Sequence, residues 1–206
     1  LGGSSSLNGM VYIRGHARDY DLWAQRGLTG WSYDDILPYF KKAEHNERGE
    51  DDFHGTTGPL NVTEGGQNHT LYDAFVSAGE QAGHALNEDF NGAEQEGVGR
   101  FQFTIKNARR WSTAAAYLRP AKSRRNLVIE TNAKTHRVTF EGTRATGIAY
   151  KHKGRGKLAI AHHDVILAGG AINSPQLLML SGVGDAAALN ALGIKPVINR
   201  PDVGKN

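Results

Sequence analysis

Apolar residues recur along this chain with two different periods, and each period predicts its own elements. Ala17 to Gln25 interleaves charged and aromatic residues and predicts a short helix ended by Gly27. Ser32 is a good N-cap, and Asp34 and Asp35 fall in the first turn, where the helix dipole favours acids. Ile36, Leu37, Phe40 and Ala43 then form one apolar face, and Pro38 should bend that helix or delay its start. Residues 46–66 are polar and rich in Gly, Asp and Glu, which predicts a long loop. Thr70 with Asp73 predicts a capping box for a helix carrying Leu71, Phe75, Ala78 and Ala82, with Gly83 as its stop. Residues 97–105, "GVGRFQFTI", place Phe101, Phe103 and Ile105 as a half-buried strand would. Ser112 then caps a short "TAAAYL" helix before Pro120.

The pattern changes after that point. Residues 127–131, 135–140 and 145–151 are rich in Val, Ile, Thr, Phe and Tyr, with Glu141-Gly142 between two of the runs and "KGRGK" after the third. Three such runs predict an antiparallel β-meander. "DVILAGG", 164–170, suits a short, fully buried strand. Ser174 and Pro175 supply an N-cap and a first-turn proline for the helix "QLLML". Gly182 and Gly184 end that helix, Asp185 starts another, and "PDVGKN" is a turn. The fold class this predicts is α+β, with helices and sheet mixed.

Composition narrows the function classes. The 206 residues fit one large domain or one and a half, and 39% hydrophobic with 22% charged residues is ordinary for a soluble globular chain. The net charge of +3 is spread out, and the basic cluster Arg14 to Arg18 is broken by Gly, His and Ala, so nucleic acid is not the expected partner. The absence of cysteine excludes disulfides, thiolate metal sites and a Cys nucleophile. No apolar run reaches the ~20 residues of a transmembrane helix. The expected location is the cytoplasm, with membrane association left open for a longer form. Asn61-Val62-Thr63 and Asn68-His69-Thr70 match the N-glycosylation triplet, which also arises by chance.

Several motifs have plain structural explanations. "GVGDAAAL", 182–189, spells G-x-G-x-x-A with Asp202 some way on, the outline of a nicotinamide dinucleotide fingerprint. That fingerprint needs a strand before its first glycine, whereas the preceding residues begin a helix and make Gly182 a helix stop. His162 and His163 are adjacent, and none of the nine histidines has the spacing of a metal pair, so no metal site is expected. No serine occupies a G-x-S-x-G elbow. "KHKGRGK" lacks phosphate-loop spacing and predicts a solvated hairpin tip. The opening "LGGSSSLNGM" is less easily dismissed. Gly-Gly permits close backbone approach, three hydroxyls and several backbone N–H groups can converge on an anion such as a pyrophosphate, and Asn8 offers an amide to a heterocycle edge. The residues alone leave this binding loop and a plain Gly/Ser turn equally open.

A resemblance decides between them. "LGGSSSLNGMVYIRGHARDYD", Leu1 to Asp21, resembles the first signature of the glucose-methanol-choline (GMC) family of flavin oxidoreductases. "GAINSPQLLMLSGVG", Gly170 to Gly184, is similar to its second signature at every defined position. "GWSYDDILPYFKKAE", "NEDFNGAEQEGVG" and "RRWSTAAAYLRPA" resemble the choline dehydrogenase-like branch of that family. The resemblance implies FAD as cofactor and hydride transfer from an alcohol, choline-like or another primary alcohol, to the flavin, with oxygen or a quinone as final acceptor. It puts Gly2, Gly3 and Ser4 along the FAD diphosphate and ribityl chain. Asn8, Gly9, Met10 and Val11 come close to the isoalloxazine ring, and the Thr135 backbone lies by the adenine. Leu7 stands where some relatives carry a flavin-linking His, which implies non-covalent FAD. The family's dinucleotide fingerprint is expected upstream of Leu1 and its catalytic His downstream of Asn206, so this stretch is expected to be a central piece with no catalytic residue of its own. Residues 1–54 are then expected in the FAD domain, 55–125 in a partial substrate domain, and 126–206 in the FAD-domain meander and strand-helix unit. The rival expectation is a non-catalytic, excised or degenerate flavoprotein module.

Overall fold

The computed structural model describes residues 1–65 and 69–205. It separates into two compact units, Leu1–Leu127 and Val128–Asn206. Both mix helices with small sheets, in agreement with the predicted class.

In the first unit a 3₁₀ turn, Gly3–Ser6, leads into β1 (Val11–Tyr12), and α1 (Ala17–Gln25) and α2 (Tyr33–Ala43) follow. Ser32 caps α2 as the spacing predicts. Its Oγ accepts from the Asp35 backbone N–H at 3.2 Å, and the Asp35 carboxylate accepts from Ser32 N–H at 3.1 Å, a reciprocal capping box. Pro38 neither delays nor stops α2, because the helix begins at Tyr33 and runs through it to Ala43. The residues after α2 are not all loop. β2 (Glu44–Asn46) pairs in parallel with β3 (Leu60–Val62). No apolar alternation marks this pair, because its buried positions include Glu44, Asn46 and Asn61.

Helix α3 (Thr70–Gln81) starts one residue from its expected cap. His69 is the N-cap and its side chain accepts from Leu71 N–H, while Asp73 pairs with Arg100. Leu71 and Phe75, the expected apolar face, are exposed. The expected strand at 97–105 is shorter and broken. β4 (Gln102–Phe103) pairs with β1, and β5 (Ile105–Lys106) pairs with β6 (Arg109–Arg110). The buried residue of β4 is Gln102, not an aromatic. The β5–β6 hairpin turns on Asn107 (φ 50°) and Ala108 (φ 57°), a two-residue turn that needs left-handed backbone at both positions. After Ser112 the chain forms a π-helical turn, Ala114–Leu118, and continues as α4 (Arg119–Ala121) through Pro120. The N-cap of that turn is Thr113, one residue beyond the expected Ser112, whose carbonyl accepts from both Ala115 and Ala116 N–H at 2.8 Å.

The second unit holds the meander, displaced by one strand from the sequence expectation. Its strands are β7 (Ala133–Glu141), β8 (Arg144–His152) and β9 (Arg155–Ile160), paired antiparallel in that order. Residues 127–131 form no strand, and Val128 is exposed. The third strand lies instead in "RGKLAI", beyond a turn at Lys153 and Gly154 with positive φ at both. "DVILAGG" pairs with no strand among the described residues, and Ile166 is 86% exposed. A strand forms only where neighbouring N–H and C=O groups are available, and apolar content does not supply them. Helix α5 runs Gly170–Leu180, so Ser174 and Pro175 lie inside it and are not its cap and first residue; Ser174 Oγ instead accepts from Gly169 N–H at 2.9 Å. Gly182 ends α5 with φ 88°, as predicted. β10 (Val183–Gly184) then pairs in parallel with β11 (Ile198–Asn199), with α6 (Ala186–Ala191) between them, capped by Asp185 as predicted. A helix over 177–180 removes the strand that a dinucleotide fingerprint at Gly182 would require. No helix in the described residues is long and apolar enough to cross a membrane.

Candidate functional site

The opening ten residues form a defined loop. Gly2 has φ 104°, and a Cβ there would lie 2.4 Å from Ser6 Oγ and 3.2 Å from Ala114 Cβ, so only glycine fits. Leu7 and Asn8 N–H both donate to Ser4 O, at 2.9 and 2.8 Å. Asn8 Oδ1 accepts from Met10 N–H at 3.2 Å, and Met10 itself has φ 66°, uncommon for a side chain of its size. Met10 O accepts from Thr104 N–H at 2.8 Å, and Val11 pairs with Phe103, so β1 leaves the loop fixed in register with β4.

A second segment holds the loop. Arg110 Nη1 lies 2.7 Å from Asn8 O, 2.9 Å from Asn8 Oδ1 and 3.2 Å from Ser5 O. Thr113 N–H donates to Ser5 Oγ at 3.0 Å, and Thr113 Oγ1 donates to Gly2 O at 3.0 Å. No local sequence signal could mark these partners, because they lie more than one hundred positions from the loop. Among the described residues of the first unit, the other side of the loop is open. A Cβ on Gly3 or Gly9 would meet nothing within 4 Å, and Leu7 is 89% exposed. Gly2, Gly3, Ser4, Asn8, Gly9, Met10 and Val11 are thus brought together on one ordered loop with an open face. Thr135 lies in the second unit on β7, opposite Tyr150. There it lines a cavity of about 420 Å³ with Ile148, Ile166, Leu167, Ala168 and Gly169.

Behind the loop, β1 is anchored by a buried polar network that the sequence did not signal. Arg14 N–H donates to Asn91 Oδ1 at 2.8 Å, and its Nη1 donates to Phe53 O at 2.9 Å. Arg14 Nη2 lies 3.0 Å from Glu44 Oε1, which His54 Nδ1 also approaches at 2.7 Å. His54 Nε2 bonds Asp89 Oδ2 at 2.8 Å. The Glu44 and His54 side chains are 0% and 1% exposed, and Asp89 is 24% exposed. Burial on its own would push the His54 pKa down, but hydrogen bonds to Asp89 and Glu44 and their negative charge outweigh it and bring it up to about 9. Burial would raise the Glu44 and Asp89 carboxyls, yet the bonds to His54 hold both below their usual range. Burial pushes the neighbouring Tyr12 phenol up to about 12, so it stays neutral. Asn61, one of the two glycosylation candidates, is buried, with its Nδ2 donating to Glu47 Oε1 and Ile105 O, so it cannot accept a glycan in this fold. Asn68, the other, lies outside the described residues. Among the described residues no cluster of His, Asp and Glu could hold a metal ion.

Comparison with known proteins assigns the chain to a family. The GMC oxidoreductase family model matches residues 1–206. The chain belongs to the GMC oxidoreductase family. It is similar to the protein named choline dehydrogenase, mitochondrial, of Homo sapiens, with 54% identity over 205 residues, covering 100% of this chain and 34% of that protein. It is also similar to the oxygen-dependent choline dehydrogenase of Sinorhizobium fredii, with 48% identity over 206 residues and 37% of that protein covered. The chain therefore spans roughly a third of these curated GMC relatives. Among solved structures it resembles the FAD-dependent oxidoreductase from Chaetomium thermophilum, with a TM-score of 0.93 and 28% identity, over 100% of this chain and 38% of that one. It also resembles pyridoxine 4-oxidase from Mesorbium loti, with a TM-score of 0.89 and 33% identity, over 97% of this chain and 40% of that one.

Proposed function

We propose that this GMC chain carries the flavin-contacting loop of an FAD-dependent oxidoreductase acting on CH–OH groups, with an alcohol of the choline-like or other primary class as substrate. The observation that carries the reading is the loop Gly2–Met10. It is bonded on one side to Arg110, Thr113 and Thr104, and its glycines at 3 and 9 face open space. That is the shape needed to lay backbone along a flat, anionic dinucleotide, and the residues present fit the group.

In this reading Gly2, Gly3 and Ser4 would hold the diphosphate and ribityl chain, Asn8 to Val11 would border the isoalloxazine ring, and the Thr135 backbone would border the adenine. The family membership supports each placement. Leu7 offers no nucleophile, which supports non-covalent binding. When bound, FAD supplies the hydride acceptor. The part of this chain is to orient the cofactor and to exclude water from one side of it. The catalytic base is assigned to sequence beyond these residues. We assign residues 1–54 to the FAD domain, 55–125 to part of the substrate domain and 126–206 to the FAD-domain meander and strand-helix unit. Oxygen or a quinone is the final acceptor, and the cytoplasm is the proposed compartment; the human relative's own name places that protein in mitochondria.

The test uses the full-length protein. A visible flavin spectrum, FAD released on acid precipitation, and flavin bleaching by choline or another primary alcohol under anaerobic conditions are expected. A protein that carries no flavin and takes none up overturns the reading. Flavin that stays with the precipitate overturns its non-covalent part.

A further inference from the structure

We propose that Arg110 is a positioning residue that fixes which edge of Asn8 faces the flavin, an inference that rests on the cofactor reading above. The side-chain oxygen of Asn8 has two partners inside the protein, the Met10 N–H at 3.2 Å and Arg110 Nη1 at 2.9 Å. An amide oxygen has two lone pairs, and both are engaged. Turning the amide over would set its NH₂ against the guanidinium, donor against donor. Arg110 therefore holds Asn8 in one orientation, with Nδ2 and its two hydrogens left to face outward on an exposed side chain. The two hydrogens of the same Nη1 are shared with Asn8 O and Ser5 O, which ties the residue and the turn before it to the same point.

The chemistry presented is that of a hydrogen-bond donor pair beside the open face at Gly9. It suits an acceptor edge of the isoalloxazine ring, its carbonyl oxygens or unprotonated ring nitrogens. The strained hairpin at Asn107 and Ala108 serves this arrangement, because it turns the chain so that Arg110 pairs back with Ile105 at this place. A lysine at 110 would keep the charge with a single nitrogen and a different reach. It should recover part of the effect and not all of it.

The experiment compares full-length wild type with R110Q, R110K and N8D by FAD titration of the apoprotein, visible spectrum, flavin midpoint potential and melting temperature of the apo form. N8D keeps an acceptor for Arg110 but presents oxygen outward in place of a donor. The expected result is at least a tenfold loss of FAD affinity and a changed flavin spectrum and potential in R110Q, part of it regained in R110K. N8D should lose affinity comparably while its apo melting temperature stays near wild type. Flavin binding by R110Q with unaltered affinity, spectrum and potential overturns the role of Arg110 and leaves the cofactor reading standing. So does an equal fall in apo melting temperature for R110Q and R110K with the flavin signals unmoved, since that marks a merely structural arginine. Should R110Q fail to fold, N8D decides, and an N8D protein with wild-type affinity and spectrum overturns the proposal. Wild type that binds no flavin removes the cofactor reading itself.

Discussion

Replacing His54 with glutamine should destabilise the protein, and by an amount that depends on pH in a direction fixed by the structure. The imidazole bonds two carboxylates at once, Glu44 at 2.7 Å and Asp89 at 2.8 Å. A glutamine amide would leave Glu44 with Arg14 at 3.0 Å and the Gly55 N–H at 3.1 Å, while Glu44 Oε2 already has no partner among the described residues. Removing one member of a buried ion pair costs about 3–5 kcal/mol. The protonated ring supplies much of that. A pKa of about 9 in the fold against 6.5 for the free side chain corresponds to about 2–3 kcal/mol, the lower end allowing for the partial exposure of Asp89. Because the folded value is the higher one, this contribution is fully present below pH 6.5. It is lost progressively as pH rises through about 9. Urea denaturation of the full-length wild type and His54→Gln, followed by tryptophan fluorescence from pH 6 to 10, isolates it as the difference between the two proteins. The gap should be widest near pH 6 and narrow by about 2–3 kcal/mol toward pH 10. A gap that stays constant, or widens with pH, would show that His54 is neutral in the fold and would refute the charge assignment.

Two further outcomes follow from close contacts. Gly58→Ala should destabilise by about 3 kcal/mol, because its Cβ would sit 2.3 Å from Ala43 C and 2.4 Å from Glu44 N, both backbone atoms that cannot yield; denaturant midpoints check this. Ser181→Ala removes the oxygen that accepts from the buried Val138 N–H at 2.8 Å, so the orphaned donor should cost about 1–3 kcal/mol, read from the same unfolding curves.

Local signals were legible where the structure is local. The cap at Ser32, the cap at Asp185 and the stop at Gly182 each involve residues a few positions apart, and each formed as expected. The apolar runs at 127–131 and 164–170 misled because strand formation depends on a partner, and composition carries no information about one. The third meander strand was missed for the opposite reason. "RGKLAI" is exposed along its whole length, so it shows no apolar alternation although it pairs fully with β8. In the site, the contiguous glycines and Asn8 left a binding loop and a plain turn equally open, and the family resemblance decided between them. Arg110 and Thr113, which hold it, were visible only as part of a family-like segment.

The polar network and the open loop follow from one requirement. A loop that offers one face to a ligand cannot be packed from both sides, so its conformation must be set by directional bonds from the other side. The described residues of the first unit bury few large apolar side chains, and Arg14, Glu44, Asn46, His54, Asn61 and Gln102 occupy the places a hydrophobic core would otherwise take. Such an interior is stable only if its charges cancel and its donors meet acceptors. With His54 protonated, Arg14 and His54 balance Glu44 and Asp89, two charges of each sign. The raised histidine pKa and the lowered carboxyl pKa values are consequences of that balance. The neutral Tyr12 beside them adds no charge to upset it. Arg14 lies two residues beyond the β1 pair and its backbone N–H is itself bonded into the network, so the charge balance fixes the strand into which Met10 leads. The geometry of the loop at Asn8 and Gly9 is therefore set from both ends, by Arg110 across the loop and by Arg14 below it.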